Sequence, residues 1–115
     1  MKLRCSTEVE CKPVPEKGAS GVSIRWLLSR SEGAPHFAMR LFELAPEGHT
    51  PLHQHPWEHE TFMLEGEAEI VCQSGPLKAK AGDAILVEPG EEHQFRNSSN
   101  GTTRFLCMIP LPPEH

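Results

Sequence analysis

Apolar and polar residues alternate along several short segments of the chain, a pattern typical of half-buried β-strands. In VSIRWLL, at 22–28, Val22, Ile24 and Trp26 fall on one face, and Ser23 and Arg25 on the other. Further strands are predicted within 37–44, 60–73, 77–83, 84–97 and 102–111, with an extended stretch at 52–55. No segment sustains the 3.6-residue period of an amphipathic helix, so the pattern predicts an all-β protein.

Glycine and proline separate these segments at fairly even intervals. Turns are predicted at 45–51, at 74–76 and at 98–101, and a kink at Gly66. Short strands joined in this way favour a closed or nearly closed antiparallel β-barrel, or a jelly roll. With 115 residues we expect one domain over 21–111, an arm with a possible edge strand over 1–20, and a tail over 112–115.

Composition and charge exclude several classes of function. The formal net charge is −5 and basic residues do not cluster, so nucleic acid is not an expected partner. The chain has no long apolar run for a membrane span and no secretory leader, so we expect a cytoplasmic protein. The four cysteines are widely spread without a Cys-x-x-Cys pair, which favours reduced thiols.

Candidate chemistry is concentrated in HQHPWEHE, at 53–60. Residues two apart on a strand share a face, so His53 and His55 form a pair of imidazoles on one side of an extended segment. His59 returns after the turn that Pro56 favours. Imidazole is the most common protein ligand for transition metals, so the spacing indicates a metal site. His36, His49 and His115 are isolated and are interpreted as ordinary polar residues.

Two motifs together resemble those of the cupin family. GHTPLHQHPWEHETFMLEG, at 48–66, follows the first cupin motif, with the first interval one residue short and His59 in the usual glutamate position. Gly82, Gly90, His93 and Asn97 follow the second motif, whose proline is displaced to Pro89. The resemblance implies a single cupin domain with a jelly-roll barrel. Within the family, the chain most resembles the compact four-histidine cupins that bind manganese.

The resemblance implies one divalent metal per subunit, held by His53, His55, His59 and His93. Manganese is the first choice, with iron, nickel, zinc or copper as alternatives. Four neutral imidazoles would leave the full charge of the metal uncompensated. Glu60, next to His59, is an alternative ligand, although strand alternation directs it to the opposite face.

Other residues are predicted to line the pocket. Phe95 shares a strand face with His93. In TTRFLCMI, Phe105 and Cys107 lie on the face opposite Arg104, and a buried unpaired arginine is costly, so Cys107 is expected inside. Arg40 is a candidate for an anion-binding pocket residue or for the surface. Trp57 and Phe62 are interpreted as packing residues, and Asn97 as a residue that holds the backbone.

Two classes of function remain open. An incomplete protein ligand set would favour a metal-dependent oxidoreductase of the oxygenase or dioxygenase type, acting on a small organic substrate. The alternative is a non-catalytic cupin that binds a small ligand or a metal. We also expect a homodimer, because VSIRWLL offers apolar surface and small barrels leave sheet edges.

Overall fold

The computed structural model describes residues 1–111, and the predicted tail at 112–115 lies outside them. The all-β prediction is confirmed: within the described residues there are nine strands and two short 3-10 helices, and no α-helix. No helix in this part of the chain is long and apolar enough to span a membrane. The strands are β1 (Lys12–Pro13), β2 (Ser20–Leu28), β3 (Phe37–His49), β4 (His59–Glu65), β5 (Glu67–Cys72), β6 (Leu77–Lys80), β7 (Ala84–Val87), β8 (His93–Asn97) and β9 (Thr103–Pro110).

The strands form one curled antiparallel sheet in the order β6-β5-β8-β3-β9-β4-β7, with β2 also paired to β3, and β1 paired to β2. Strand β3 belongs to both halves of the barrel, because its first part pairs with β2 and β9 and its last residue, His49, pairs with Arg96 of β8. This arrangement confirms the predicted jelly-roll barrel.

The predicted turn at 45–51 is wrong for most of its length, because β3 continues to His49. Pairing of Ser20 with His49 on one side, and of His49 with Arg96 on the other, holds this segment in the sheet. What remains of the predicted turn is an irregularity in β3. The register of its pairing with β2 shifts between Ser20 and Val22, and Glu47 has a positive φ of 68°.

Alternation along the strands places one face of each inside the barrel. The core contains Leu44, Met63 and Ala68, which are fully buried, and the stacked rings of Phe42, Phe95 and Phe105, with centroids 4.8–5.3 Å apart. These aromatic side chains pack in the interior next to the histidines, and the Phe95 ring centroid lies 6.4 Å from that of His93.

Gly66 turns the chain between β4 and β5. Its φ is +79°, and a Cβ there would lie 2.6 Å from Thr103 Oγ1 and 2.8 Å from the Thr102 carbonyl oxygen. No side chain fits in this space, so the glycine allows the corner to pack against β9.

Asn97 holds three segments of backbone together at the end of β8. Its buried amide group donates to the carbonyl oxygens of Leu44, Ala45 and Gly101 at 2.8–3.0 Å. Its side-chain oxygen accepts hydrogen bonds from the Ser99 N–H and the Thr103 hydroxyl. The prediction that this residue fixes backbone is confirmed.

We therefore expect Asn97→Ala to lower the free energy of unfolding by about 2–4 kcal/mol, since it leaves several buried groups without partners. Urea denaturation followed by circular dichroism measures the change. Asn100→Ala, an exposed site in the same turn, is the matched control and should have little effect. Equal stabilities for the two variants would contradict this role of Asn97.

Candidate metal centre and its cavity

Backbone pairing brings the two histidine motifs together. The His53 N–H donates to the His93 carbonyl oxygen at 3.1 Å, and the His93 N–H donates to His53 at 2.9 Å. The Gly90 N–H donates to the His55 carbonyl oxygen at 2.8 Å, from a turn in which Gly90 has a φ of +79°. Segment 53–55 is thereby fixed against the start of β8, although it lies outside the regular strands.

His59 opens β4, and its inward position continues the alternation of Thr61 and Met63. Glu60 is exposed on the outer face, where it pairs with Leu86 and Met108 of the neighbouring strands. The structure therefore places Glu60 away from the histidines, as strand alternation predicted.

All four histidines predicted from the motifs lie close together inside the barrel. The ring centroids of His53, His55 and His93 are 4.8–5.3 Å apart, and each can offer a nitrogen within 4.8 Å of the others. The His59 ring is stacked on His55 at 4.1 Å and lies 5.3 Å from His93. Three histidines thus form the tightest group, with His59 directly beside it.

Hydrogen bonds at the back of two rings determine which nitrogens face the cluster. His55 Nδ1 lies 2.9 Å from the Trp57 carbonyl oxygen, and His93 Nδ1 lies 2.8 Å from that of Glu91. A carbonyl oxygen only accepts, so each Nδ1 carries the proton and each Nε2 keeps its lone pair. His55 Nε2 is buried and has no hydrogen-bond partner.

This unpartnered nitrogen fits a metal cation. A buried acceptor without a partner is costly, and a cluster of neutral imidazoles supplies the donor atoms that divalent transition metals bind. The residues that would hold the cation are His53, His55, His93 and, next to them, His59.

Burial favours the neutral form of three of these imidazoles, those of His53, His55 and His59. It is the main cause that lowers the pKa of His53 to about 4, assisted by the positive forms of His93 and His55. Burial likewise lowers the pKa of His59 to about 2, with contributions from His55 and Arg40, and it lowers the pKa of His55. A neutral imidazole is the form that binds a metal.

The histidines line a cavity of about 550 Å³, a volume within the range of small-molecule sites. All four predicted pocket residues line it: Arg40, Phe95, Phe105 and Cys107. Its walls are largely apolar, and further lining residues include Ile24, Trp26, Phe42, Thr50, Gln54, Trp57 and Ile109.

Two tryptophans were not predicted as site residues. Trp57 stacks on His55 with ring centroids 4.7 Å apart, so it contacts the cluster directly as well as lining the cavity. Trp26 contributes a ring to the same cavity. The position of Trp57 within HQHPWEHE was the available signal. By contrast, Phe62 is exposed on the outer face of β4.

Arg40 is held inside the cavity by aromatic rings. Its guanidinium carbon lies 5.5 Å from the centroid of Trp26 and 4.9 Å from that of Phe42, within reach of cation–π attraction. Its Nη2 donates to the Cys107 sulfur at 3.0 Å, while Nε is buried without a partner. Burial raises the pKa of the Cys107 thiol, and the positive charge of Arg40 opposes that effect.

The chain belongs to the cupin family. The family model for the cupin domain matches residues 40–109, which include both histidine motifs and most of the barrel. An oxalate-binding protein of Thermotoga maritima is 34% identical over 98 residues, covering 82% of this chain and 79% of the relative.

Solved structures share the fold across nearly the whole chain. The polyketide cyclase RemF from Streptomyces resistomycificus has a TM-score of 0.91 and 38% identity, with 98% of this chain and 82% of that chain covered. A predicted oxalate decarboxylase from Thermotoga maritima has a TM-score of 0.84 and 27% identity, covering 97% of this chain and 100% of the other.

The lowered histidine pKa values predict that the metal-free protein loses stability in mild acid. Below about pH 6.5 these histidines take up protons in the unfolded chain, whereas in the folded protein His53 and His59 stay neutral until a much lower pH. The stability present above pH 6.5 therefore falls towards pH 4. Thermal unfolding of chelator-treated protein between pH 7.5 and 5 measures this, above the range where most carboxyl groups titrate.

His59→Gln should make that dependence shallower, because position 59 then has no imidazole to protonate on unfolding, while His53 still has one. His36→Gln, at an exposed loop position, is the control and should leave the slope unchanged. The same slope in wild type and His59→Gln would show that the buried imidazole does not cause it.

Proposed function

We propose that this cupin is a metal-dependent enzyme that binds an enolisable polycarbonyl compound of the polyketide type and promotes its cyclisation. The observation that carries the proposal is an apolar, aromatic-walled cavity with a buried histidine cluster, one of whose nitrogens has no partner in the protein. The likeness to the polyketide cyclase RemF over 98% of this chain supports this choice of substrate class.

The metal proposed is a single divalent ion held by His53, His55, His59 and His93, with manganese as first choice. When bound, it would supply a Lewis acid that polarises a carbonyl group and acidifies the neighbouring carbon. The four ligands proposed are neutral, so they would not offset the positive charge of the ion.

The cavity walls would hold the substrate in a folded conformation. The rings of Trp26, Phe42 and Phe95 offer flat apolar surfaces to a conjugated enol chain. Arg40 is fixed between Trp26 and Phe42 and is not among the ion pairs of residues 1–111, so its guanidinium is available to an enolate oxygen. Glu16 is the acidic residue of the lining.

The proposed reaction balances without an oxidant. A carbon next to one carbonyl loses a proton and bonds to the carbon of a second carbonyl, whose oxygen gains a proton. Loss of water then gives an unsaturated ring. Apolar walls favour this intramolecular step, because they hold the two reacting carbons together and exclude bulk water.

Two other functions use the same cavity. An oxygenase or dioxygenase, the activity expected from the ligand set, would require dioxygen as a second substrate. A non-catalytic binding protein is favoured by the oxalate-binding relative and by Arg40, whose cationic side chain suits a small dianion. The three functions differ in what they consume and release, so one assay separates them.

The assay mixes manganese-loaded protein with a linear triketone whose carbonyl groups alternate along the chain. Mass spectrometry and an oxygen electrode follow the product and dissolved oxygen. Cyclisation gives a product lighter by one water without oxygen uptake, and an oxygenase consumes oxygen. Binding without turnover, shown by calorimetry, would favour the binding protein and contradict the proposed enzyme.

Alanine substitution at any of the four histidines should reduce metal content sharply, because each would remove one nitrogen donor. Elemental analysis after incubation with manganese and desalting measures the bound metal. His49→Ala is the matched control, since His49 lies outside the cavity lining. Full metal content in His93→Ala would show that the proposed ligand set is wrong.

We also propose the homodimer expected from the sequence, but with a different surface as the interface between subunits. Strand β2 pairs with β3 on one side, and β1 pairs with Ser23 and Ile24 on the other, so part of VSIRWLL is not a free edge. The exposed apolar residues Phe62, Leu64 and Leu86, on β4 and β7, offer a sheet face for a second subunit.

A further inference from the structure

Cys107 lies in the centre of a row of polar side chains that crosses three strands. It is opposite Arg40 in the pairing of β3 with β9, and opposite Thr61 in the pairing of β9 with β4. Its sulfur accepts a hydrogen bond from Arg40 Nη2 at 3.0 Å and lies 3.5 Å from His59 Nδ1. Cys107 and His59 are both buried, with 3% and 8% of their surfaces exposed.

At His59, the Cys107 sulfur is the partner of Nδ1, whereas at two other histidines that partner is a backbone carbonyl oxygen. Trp57 and Glu91 accept from Nδ1 of His55 and His93, which leaves Nε2 of each ring free. No backbone carbonyl of the described chain takes this role for His59. The partner of its Nδ1 is the Cys107 sulfur.

We infer that Cys107, held by Arg40, is a positioning residue that fixes the tautomer of His59. A guanidinium group only donates hydrogen bonds. The Cys107 sulfur therefore accepts from Arg40 through a lone pair, and this contact favours the sulfur as an acceptor. The Nδ1–H of His59 can then donate to the same sulfur, and Nε2 keeps its lone pair.

Another buried polar side chain next to Cys107, that of Thr61, supports this arrangement. Thr61 is 3% exposed, and its hydroxyl oxygen has no hydrogen-bond partner. A thiol that accepts from two N–H groups still has its own proton to place. Thr61 is opposite Cys107 in the pairing of β9 with β4, and its hydroxyl oxygen is an acceptor that no group of the described residues uses.

The inference rests on the proposed four-histidine metal site, and it gives Cys107 a specific function within that site. Groups that orient a metal-binding histidine through its second nitrogen commonly change metal affinity by about 10–100-fold when they are removed. The same row connects the aromatic-held guanidinium of Arg40 to the ring of His59, so substrate and metal would be oriented by one set of contacts.

The test compares wild type with Cys107→Val, which removes the acceptor at similar volume, and with Cys107→Ser, which keeps an acceptor. Ile109→Val, on the same strand and lining the same cavity, is the control for small changes in packing. Long-range nitrogen–proton NMR correlations report the His59 tautomer in metal-free protein, and calorimetry reports the dissociation constant for manganese.

We expect His59 protonated on Nδ1 in wild type, Cys107→Ser and Ile109→Val, and a shift towards the other tautomer in Cys107→Val. Manganese should bind about 10–100-fold more weakly to Cys107→Val, with most of the affinity restored in Cys107→Ser. A wild-type tautomer and affinity in Cys107→Val would overturn the inference. Failure of wild type to bind manganese and also zinc would instead refute the proposed metal site, while the tautomer would still test Cys107.

Discussion

The candidate site depends on the reciprocal backbone hydrogen bonds between His53 and His93. These residues are 40 positions apart in the sequence, and the segment that carries His53 lies outside the regular strands. The two hydrogen bonds, with the one from Gly90 to His55, fasten that segment to the start of β8. Without them His53 and His55 would lie on a loop, unconnected to His59 on β4 and His93 on β8.

A second constraint is that the cluster is built inside an apolar barrel. Burial there makes protonation of the imidazoles unfavourable, so His53, His55 and His59 keep lone pairs available at neutral pH. The aromatic rings that cause this burial also form the cavity walls. The same packing therefore supplies neutral donor atoms and an apolar cavity wall.

Polar groups in such an interior need partners, and most have them. Asn97 satisfies four backbone groups, and Arg40 is supported by two rings and a sulfur. Among the described residues, the exceptions beside the cavity are His55 Nε2, Arg40 Nε and Thr61 Oγ1; Arg104 Nε also has no hydrogen bond, but it lies outside the cavity lining and 3.4 Å from the Glu43 carboxylate. Buried unpaired groups are costly to the fold; the proposed metal would satisfy His55 Nε2, and the proposed substrate would satisfy the guanidinium of Arg40.

The sequence by itself determined the strand class, the cupin motifs and the four histidines, because side-chain alternation and motif spacing are local properties of the chain. It also placed Phe95, Phe105 and Cys107 on inward faces. It could not decide that β3 continues to His49, since pairing with β2 and β8 overrides the local turn signal. Nor could it show that Trp26, Trp57 and Arg40 meet around the histidines, or that Cys107 contacts His59. Those contacts join residues distant in the chain, and only the closure of the barrel sets their distances.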